Sequence, residues 1–120
     1  IDDIVVLAGQ AASTTCAPSK PVNVLHIHGT VDDTVPFAVA APSVATWAAY
    51  DQCGAKRDPG PALDLEVKLA GSETHTEATA GCPTGVAVDF WTIEGGSHIP
   101  SFGSGFEPAV WQWLTDHRRP

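Results

Sequence analysis

The residues best suited to proton chemistry sit in two short segments, His28-Gly-Thr-Val-Asp-Asp-Thr-Val-Pro36 and Glu94-Gly-Gly-Ser-His-Ile-Pro100. The first offers a carboxylate at Asp32, the second an imidazole at His98. A carboxylate on one ring nitrogen holds an imidazole in a single tautomer and stabilises the imidazolium that forms when the ring accepts a proton. Asp32 and His98 together are therefore an acid-supported base that needs a nucleophile. Gly95 and Gly96 allow a tight loop before the histidine, and Pro36 and Pro100 stiffen both segments by fixing φ. The third partner is missing: no Gly-x-Ser-x-Gly turn occurs in the sequence. Ser13, Ser97, Ser101 and Ser104 carry hydroxyls, but none lies in a strand-turn-helix context that would expose it to a base. Gly103-Ser104-Gly105 reads as a flexible loop.

Each of these residues also has a plainer reading. Asp32 is well placed to bond its own backbone in a turn. Asp33 is the second choice for the acid and reads as a solvated or turn-forming neighbour. His98 could be a surface loop histidine. His26 and His28 form His-x-His, a metal-ligand spacing, with no further ligand near in sequence; His28 reads as a packed, hydrogen-bonded loop residue, and no metal or cofactor site is expected. Trp47, Trp91, Trp111 and Trp113 could line an aromatic groove, yet their spacing is that of core positions.

Positioning an acid and a base from distant segments requires a scaffold. Ile4-Val-Val-Leu-Ala8, Asn23 to His28 and Val86 to Ile93 are apolar, β-branched runs expected as buried strands. Asp32 and His98 each follow one of them, where chain ends gather at a common crevice. Ser43 to Cys53 has helical spacing with Ser43 as cap, after a stretch that Pro36 and Pro42 keep extended or turned. Ala55 to Pro61 is expected as loop. Asp64 to Leu69 and His75 to Thr79 alternate and read as an antiparallel pair turning near Gly71-Ser72, with His75 exposed. Phe106 to His117 is the last helix, with Pro108 in its first turn and Phe106, Val110, Trp113 and Leu114 as its apolar stripe. This order predicts an α/β layout with mainly parallel core strands.

Length and composition set the outer bounds. With 120 residues the chain fits one domain, spanning 1–120, and 43% hydrophobic against 17% charged residues excludes a disordered composition. A net charge of −8 spread along the chain argues against nucleic acid or anionic membrane as partner. The basic cluster His117 to Arg119 complements the dipole of the terminal helix. No apolar run approaches the ~20 residues of a membrane span, and the N-terminus lacks a signal-peptide layout. Cys53 and Cys82 flank the polar antiparallel stretch and are expected to pair. Cys16 is left for a bond outside the chain or as a free buried thiol, and its polar loop points to the former.

His28-Gly-Thr-Val-Asp-Asp-Thr-Val-Pro-Phe37 resembles the acid loop of serine α/β-hydrolases, in particular the secreted polyhydroxyalkanoate-depolymerase and feruloyl-esterase-like group. The carboxylate of that loop falls on Asp32. Trp91 to His98 is similar to the histidine loop of the group, and Val110-Trp-Gln-Trp-Leu114 to its terminal helix. The resemblance covers nearly the whole chain and about the C-terminal half of the family's domain; the nucleophile elbow and oxyanion loop lie upstream in the family. It implies a partial α/β-hydrolase fold, with mainly parallel strands flanked by helices and a small antiparallel hairpin insertion. It implies a secreted or extracytoplasmic carboxylic ester hydrolase in which Asp32 and His98 are the catalytic residues. The serine would come from a complementary N-terminal segment or another chain. The alternative is a non-catalytic half-domain that self-associates as a homo-oligomer, or binds a partner, across an open sheet edge.

Overall fold

In the computed structural model, residues 1–11 and 17–118 are described. Five strands, β1 (Asp3–Leu7), β2 (Asn23–Gly29), β3 (Arg57–Pro59), β4 (Thr74–Thr79) and β5 (Val88–Ile93), form one sheet in the order β1-β2-β5-β4-β3. β1, β2 and β5 are parallel, whereas β4 and β3 add to β5 in antiparallel sense. Two helices of 11 residues each, α1 (Ala40–Tyr50) and α2 (Phe106–Asp116), complete the regular elements among the described residues.

This overturns the expected fold. The molecule is a small, mostly-β domain built on a mixed sheet, and it is not a parallel-core α/β-hydrolase sheet flanked by helices. No separate hairpin insertion exists, because β4 pairs along its length with β5 from Thr74↔Ile93 to Ala78↔Asp89. Arg57–Pro59, read as loop, extends the sheet by pairing with β4. Asp64 to Leu69 does not become a strand. The Glu73 carboxylate accepts the Leu65 and Glu66 backbone N–H groups at 2.9 and 2.7 Å, taking the donors that a strand partner would have used.

β2 is buried at every position because it lies between two parallel neighbours. Its alternation sorts the core. Val24 joins Val88, Phe90, Val44 and Ala48 on the α1 side, while Leu25 and Ile27 join Trp91, Ile93 and Trp113 on the α2 side. β1 was expected to be buried on both faces, but as an edge strand it is only half-buried, with Leu7 exposed. α1 starts at Ala40, three residues before the expected cap, after a 3₁₀ turn at Phe37–Val39. Pro42 is tolerated in its first turn, where the missing N–H breaks no helical bond. Ser43 does not cap: its hydroxyl donates to the Val39 carbonyl at 2.8 Å and accepts the Ala11 N–H at 2.9 Å. α2 begins at Phe106 as expected, with Glu107 in the first turn complementing its dipole.

Asn23 ties the sheet's other end together. Its amide donates to Asp3 Oδ1 and the His117 carbonyl and accepts the Ala87 N–H, linking β1, β5 and the end of α2. The expected Cys53–Cys82 disulfide is present, closing a loop of sequence separation 29 that contains β3 and β4. Cys16 and Arg119 lie outside the described residues.

Candidate functional site

β2 and β5 are adjacent and parallel, so their carboxyl ends release the Asp32 and His98 loops side by side. The two loops are then bonded to each other. Thr30 N–H donates to the Ile93 carbonyl and Val31 N–H to the Gly96 carbonyl, both at 3.0 Å, and Gly95 N–H donates to Thr30 Oγ1 at 2.8 Å. Contact this close depends on Gly29. A Cβ there would sit 2.2 Å from the Gly96 carbonyl oxygen, a backbone atom that cannot swing away. Gly95 supplies the turn, with φ +79°.

Within this frame His98 Nδ1 lies 2.9 Å from Asp32 Oδ2. The Asp32 side chain is fully buried, while the His98 ring is 31% exposed. The two oxygens of Asp32 have different partners: Oδ1 accepts the Thr34 and Val35 N–H groups at 2.8 Å in a tight turn, and Oδ2 faces the imidazole. Burial alone would raise the Asp32 pKa. The bond from His98, the two backbone N–H bonds and the His98 charge outweigh it and hold the group at about 2. Asp32 is thus a carboxylate at every working pH and a permanent acceptor for His98 Nδ1–H. The imidazole is left with its Nε2 lone pair available, and no hydrogen bond among the described residues engages that atom.

Beside His98 lies an open cavity of about 270 Å³ at the ends of β1, β2 and β5. Its wall is mainly apolar, with Leu7, Ile27, Ile93, Ile99 and Phe102, and His98, Ser97 and His28 supply the polar edge. Ala8 also lines it and adopts φ 51°, a left-handed conformation that non-glycine residues enter at a cost in strain. The loop beyond His98 is pinned from outside the sheet. Glu66 Oε2 accepts the Ser101 N–H at 2.6 Å, and Val67 N–H and Gly103 N–H donate to the Ser101 and Leu65 carbonyls. Glu73, which holds the Glu66 backbone, is itself buried; burial would raise its pKa, but the N–H and hydroxyl groups it accepts from keep it below the usual carboxylate value.

The other candidates are placed as follows. Asp33 is exposed and accepts the Thr34 hydroxyl, at 3.3 Å. No hydroxyl of Ser97, Ser101 or Ser104 is hydrogen-bonded to His98, and Ser13 lies outside the described residues. His26 and His28 face each other, Nε2 to Nδ1 at 3.2 Å, and His28 Nε2 reaches the Val35 carbonyl at 2.9 Å, so both His28 nitrogens are engaged. Among the described residues no group of three His, Cys, Asp or Glu is arranged to hold a metal ion. No tryptophan lines the cavity: Trp91 and Trp113 are core, Trp47 is a partly buried residue of α1 packed against the core, and Trp111 is exposed on α2. His75 is exposed on β4, as expected.

Sequence reasoning missed the supports of the pair. His28 touches Asp32, with Nε2 3.2 Å from Oδ2, and Glu66 and Glu73 brace the histidine loop. The alternation of His26 and His28 along β2 put both rings on one face and could have signalled the first contact. Nothing local marks the two glutamates.

No family model matches the chain, and no match is found among curated proteins. No described helix is long and apolar enough to cross a membrane. The disulfide fits a protein that folds in an oxidising, extracytoplasmic compartment.

Proposed function

We propose that this chain supplies the acid and base of a secreted serine carboxylic ester hydrolase, the serine coming from a complementary N-terminal segment or another chain. The observation that carries this reading is the 2.9 Å contact from His98 Nδ1 to a fully buried, ionised Asp32, set beside an apolar cavity. The resemblance of both loops to those of secreted polyhydroxyalkanoate-depolymerase and feruloyl-esterase-like enzymes supports it. In the reaction, His98 Nε2 takes the serine proton as the oxygen attacks the ester carbonyl carbon. It then gives that proton to the departing alcohol, leaving an acyl-serine. Water attacks in turn, its proton passing through His98 to the serine, and the carboxylic acid leaves. Asp32 stays ionised and holds the ring.

The test is to incubate the purified chain with p-nitrophenyl butyrate and a fluorophosphonate probe, and to map the labelled serine by mass spectrometry. Hydrolysis that disappears in His98→Gln, with an adduct on a serine of this chain or of a chain copurifying with it, is the expected result. A monomeric, partner-free chain with no adduct overturns the reading.

A second reading rests on the outer edge of β1. β3 carries Arg57, Asp58 and Pro59, which disfavour strand addition, whereas Asp3-Ile-Val-Val-Leu7 has no Pro and a single charge, at Asp3, and no strand lies on its outer side among the described residues. A non-catalytic module that pairs with a second copy through β1 accounts for that edge. Sedimentation velocity decides: a dimer abolished by Val5→Pro supports this reading, and a monomer at all concentrations removes it.

A further inference from the structure

We infer that His28 is a positioning residue for the Asp32–His98 pair: its Nε2–H, fixed by His26 and donated to the Val35 carbonyl, lies against the carboxylate from inside the sheet. The inference rests on the acid–base reading of that pair. His26 and His28 are each 1% exposed, and their rings stack with centroids 5.4 Å apart. Phe90 and Phe37 pack edge-on against them, at 5.7 and 5.8 Å, and fix their planes.

The proton positions follow from the partners. The Val35 carbonyl can only accept, so His28 Nε2, 2.9 Å away, must carry hydrogen. In the neutral ring Nδ1 is then bare, and His26 Nε2, 3.2 Å from it, must be the donor. The same His28 Nε2–H lies 3.2 Å from Asp32 Oδ2, the oxygen that His98 uses. Asp32 therefore has two backbone N–H groups on Oδ1 and the His98 N–H on Oδ2, with the His28 Nε2–H, donated to the Val35 carbonyl, lying alongside Oδ2. Rotating the carboxylate would break contacts on both sides. That arrangement fixes the direction in which His98 is held and keeps Asp32 ionised when His98 gains a proton. His28 does this without lying against His98 Nε2, where the reacting proton moves.

The experiment uses the full chain labelled with ¹⁵N. Long-range ¹H–¹⁵N spectra at neutral pH should show His26 and His28 as Nε2–H tautomers, and His98 with a slowly exchanging Nδ1–H. In His28→Phe, with the β5 amides still protected, exchange of the His98 Nδ1–H should accelerate by at least about tenfold. His28→Gln, whose side-chain amide can place an N–H near the Nε2 position, should restore most of the protection, which simple filling of the core would not do. A bare His28 Nε2 in the wild-type chain, or a folded His28→Phe with His98 protection unchanged, overturns the inference. If His28→Phe does not fold, the wild-type tautomer alone decides. An unprotected His98 Nδ1 in the wild type removes the acid–base reading and this inference together. A protected His98 beside the wrong His28 tautomer removes the inference only.

Discussion

Asp32 has its two oxygens assigned to different partners, one closing the turn that places it and one facing His98, so its orientation is fixed from both sides. Its depressed pKa makes a statement about acid stability. The unfolded carboxylate titrates near 3.8 and the folded one near 2; the stability it contributes is complete above pH 3.8 and is lost as pH falls toward 2. His26 has the same sign for a different reason. Burial first, and then the neighbouring His28 charge, lower it from 6.5 to about 4. Between those values the unfolded chain binds a proton that the folded chain refuses, so stability falls as pH drops from 6.5 to 4, by about 3 kcal/mol at 1.36 kcal/mol per unit. Urea unfolding at pH 7, 5.5 and 4 should show this decline, and His26→Gln should flatten it; an unchanged slope in the variant assigns the decline elsewhere. Asp32 and His98 were legible because their chemistry depends on residue type and on following two strands. The assistance of His28 was not, since it depends on which face of β2 a ring occupies and on a carbonyl seven residues away.

β2 is the element that makes the site possible, being buried end to end and bonded to both β1 and β5. Its exit at Gly29 is the narrowest point. Gly29→Ala places a methyl group against the Gly96 carbonyl at 2.2 Å, so the two loops must separate. We expect a loss of roughly 3 kcal/mol or more in urea unfolding; a variant of wild-type stability would show that the loops do not meet there. β2 and β5 were readable as apolar, β-branched runs, and α2 by the helical spacing of its apolar stripe. α1 is readable in its middle but not at its start, where Pro42 reads as extended or turned chain yet fits the first turn of the helix. In the antiparallel half, β4 was readable from the alternation of His75 to Thr79, but its pairing with β3 and β5 was not. Three residues of β3 carry no period, and the alternation of Asp64 to Leu69 mimics a strand while its N–H groups go to a buried glutamate.

At the scale of the whole chain, two apolar clusters lie on opposite faces of one small sheet, and the radius of gyration is 13.8 Å. That is close to the roughly 13.6 Å expected for a folded domain of this length. The Cys53–Cys82 bond confines the antiparallel half, and reducing it should lower stability by about 3–4 kcal/mol on loop-entropy grounds, seen as a lower urea midpoint of Cys53→Ala/Cys82→Ala. An unshifted midpoint would place the stability of that half in its strands alone. The pairing was legible from the polar stretch between the cysteines. The overall fold was not, because short buried runs do not state whether a neighbour is parallel or antiparallel, and the mixed sheet was settled by β4 joining β5.

The central claim, that Asp32 holds His98 as a working base, can be tested without knowing the source of the serine. p-Nitrophenyl acetate transfers its acetyl group to a bare imidazole nitrogen and releases p-nitrophenolate. The wild-type chain should be acetylated first at His98, ahead of exposed His75, because Asp32 keeps Nε2 bare and stabilises the charge that develops. Asp32→Asn, whose amide can favour the wrong tautomer, should slow labelling at His98 by at least about tenfold. Peptide mapping that finds His98 no more reactive than His75, or equally reactive in wild type and Asp32→Asn, would contradict the account.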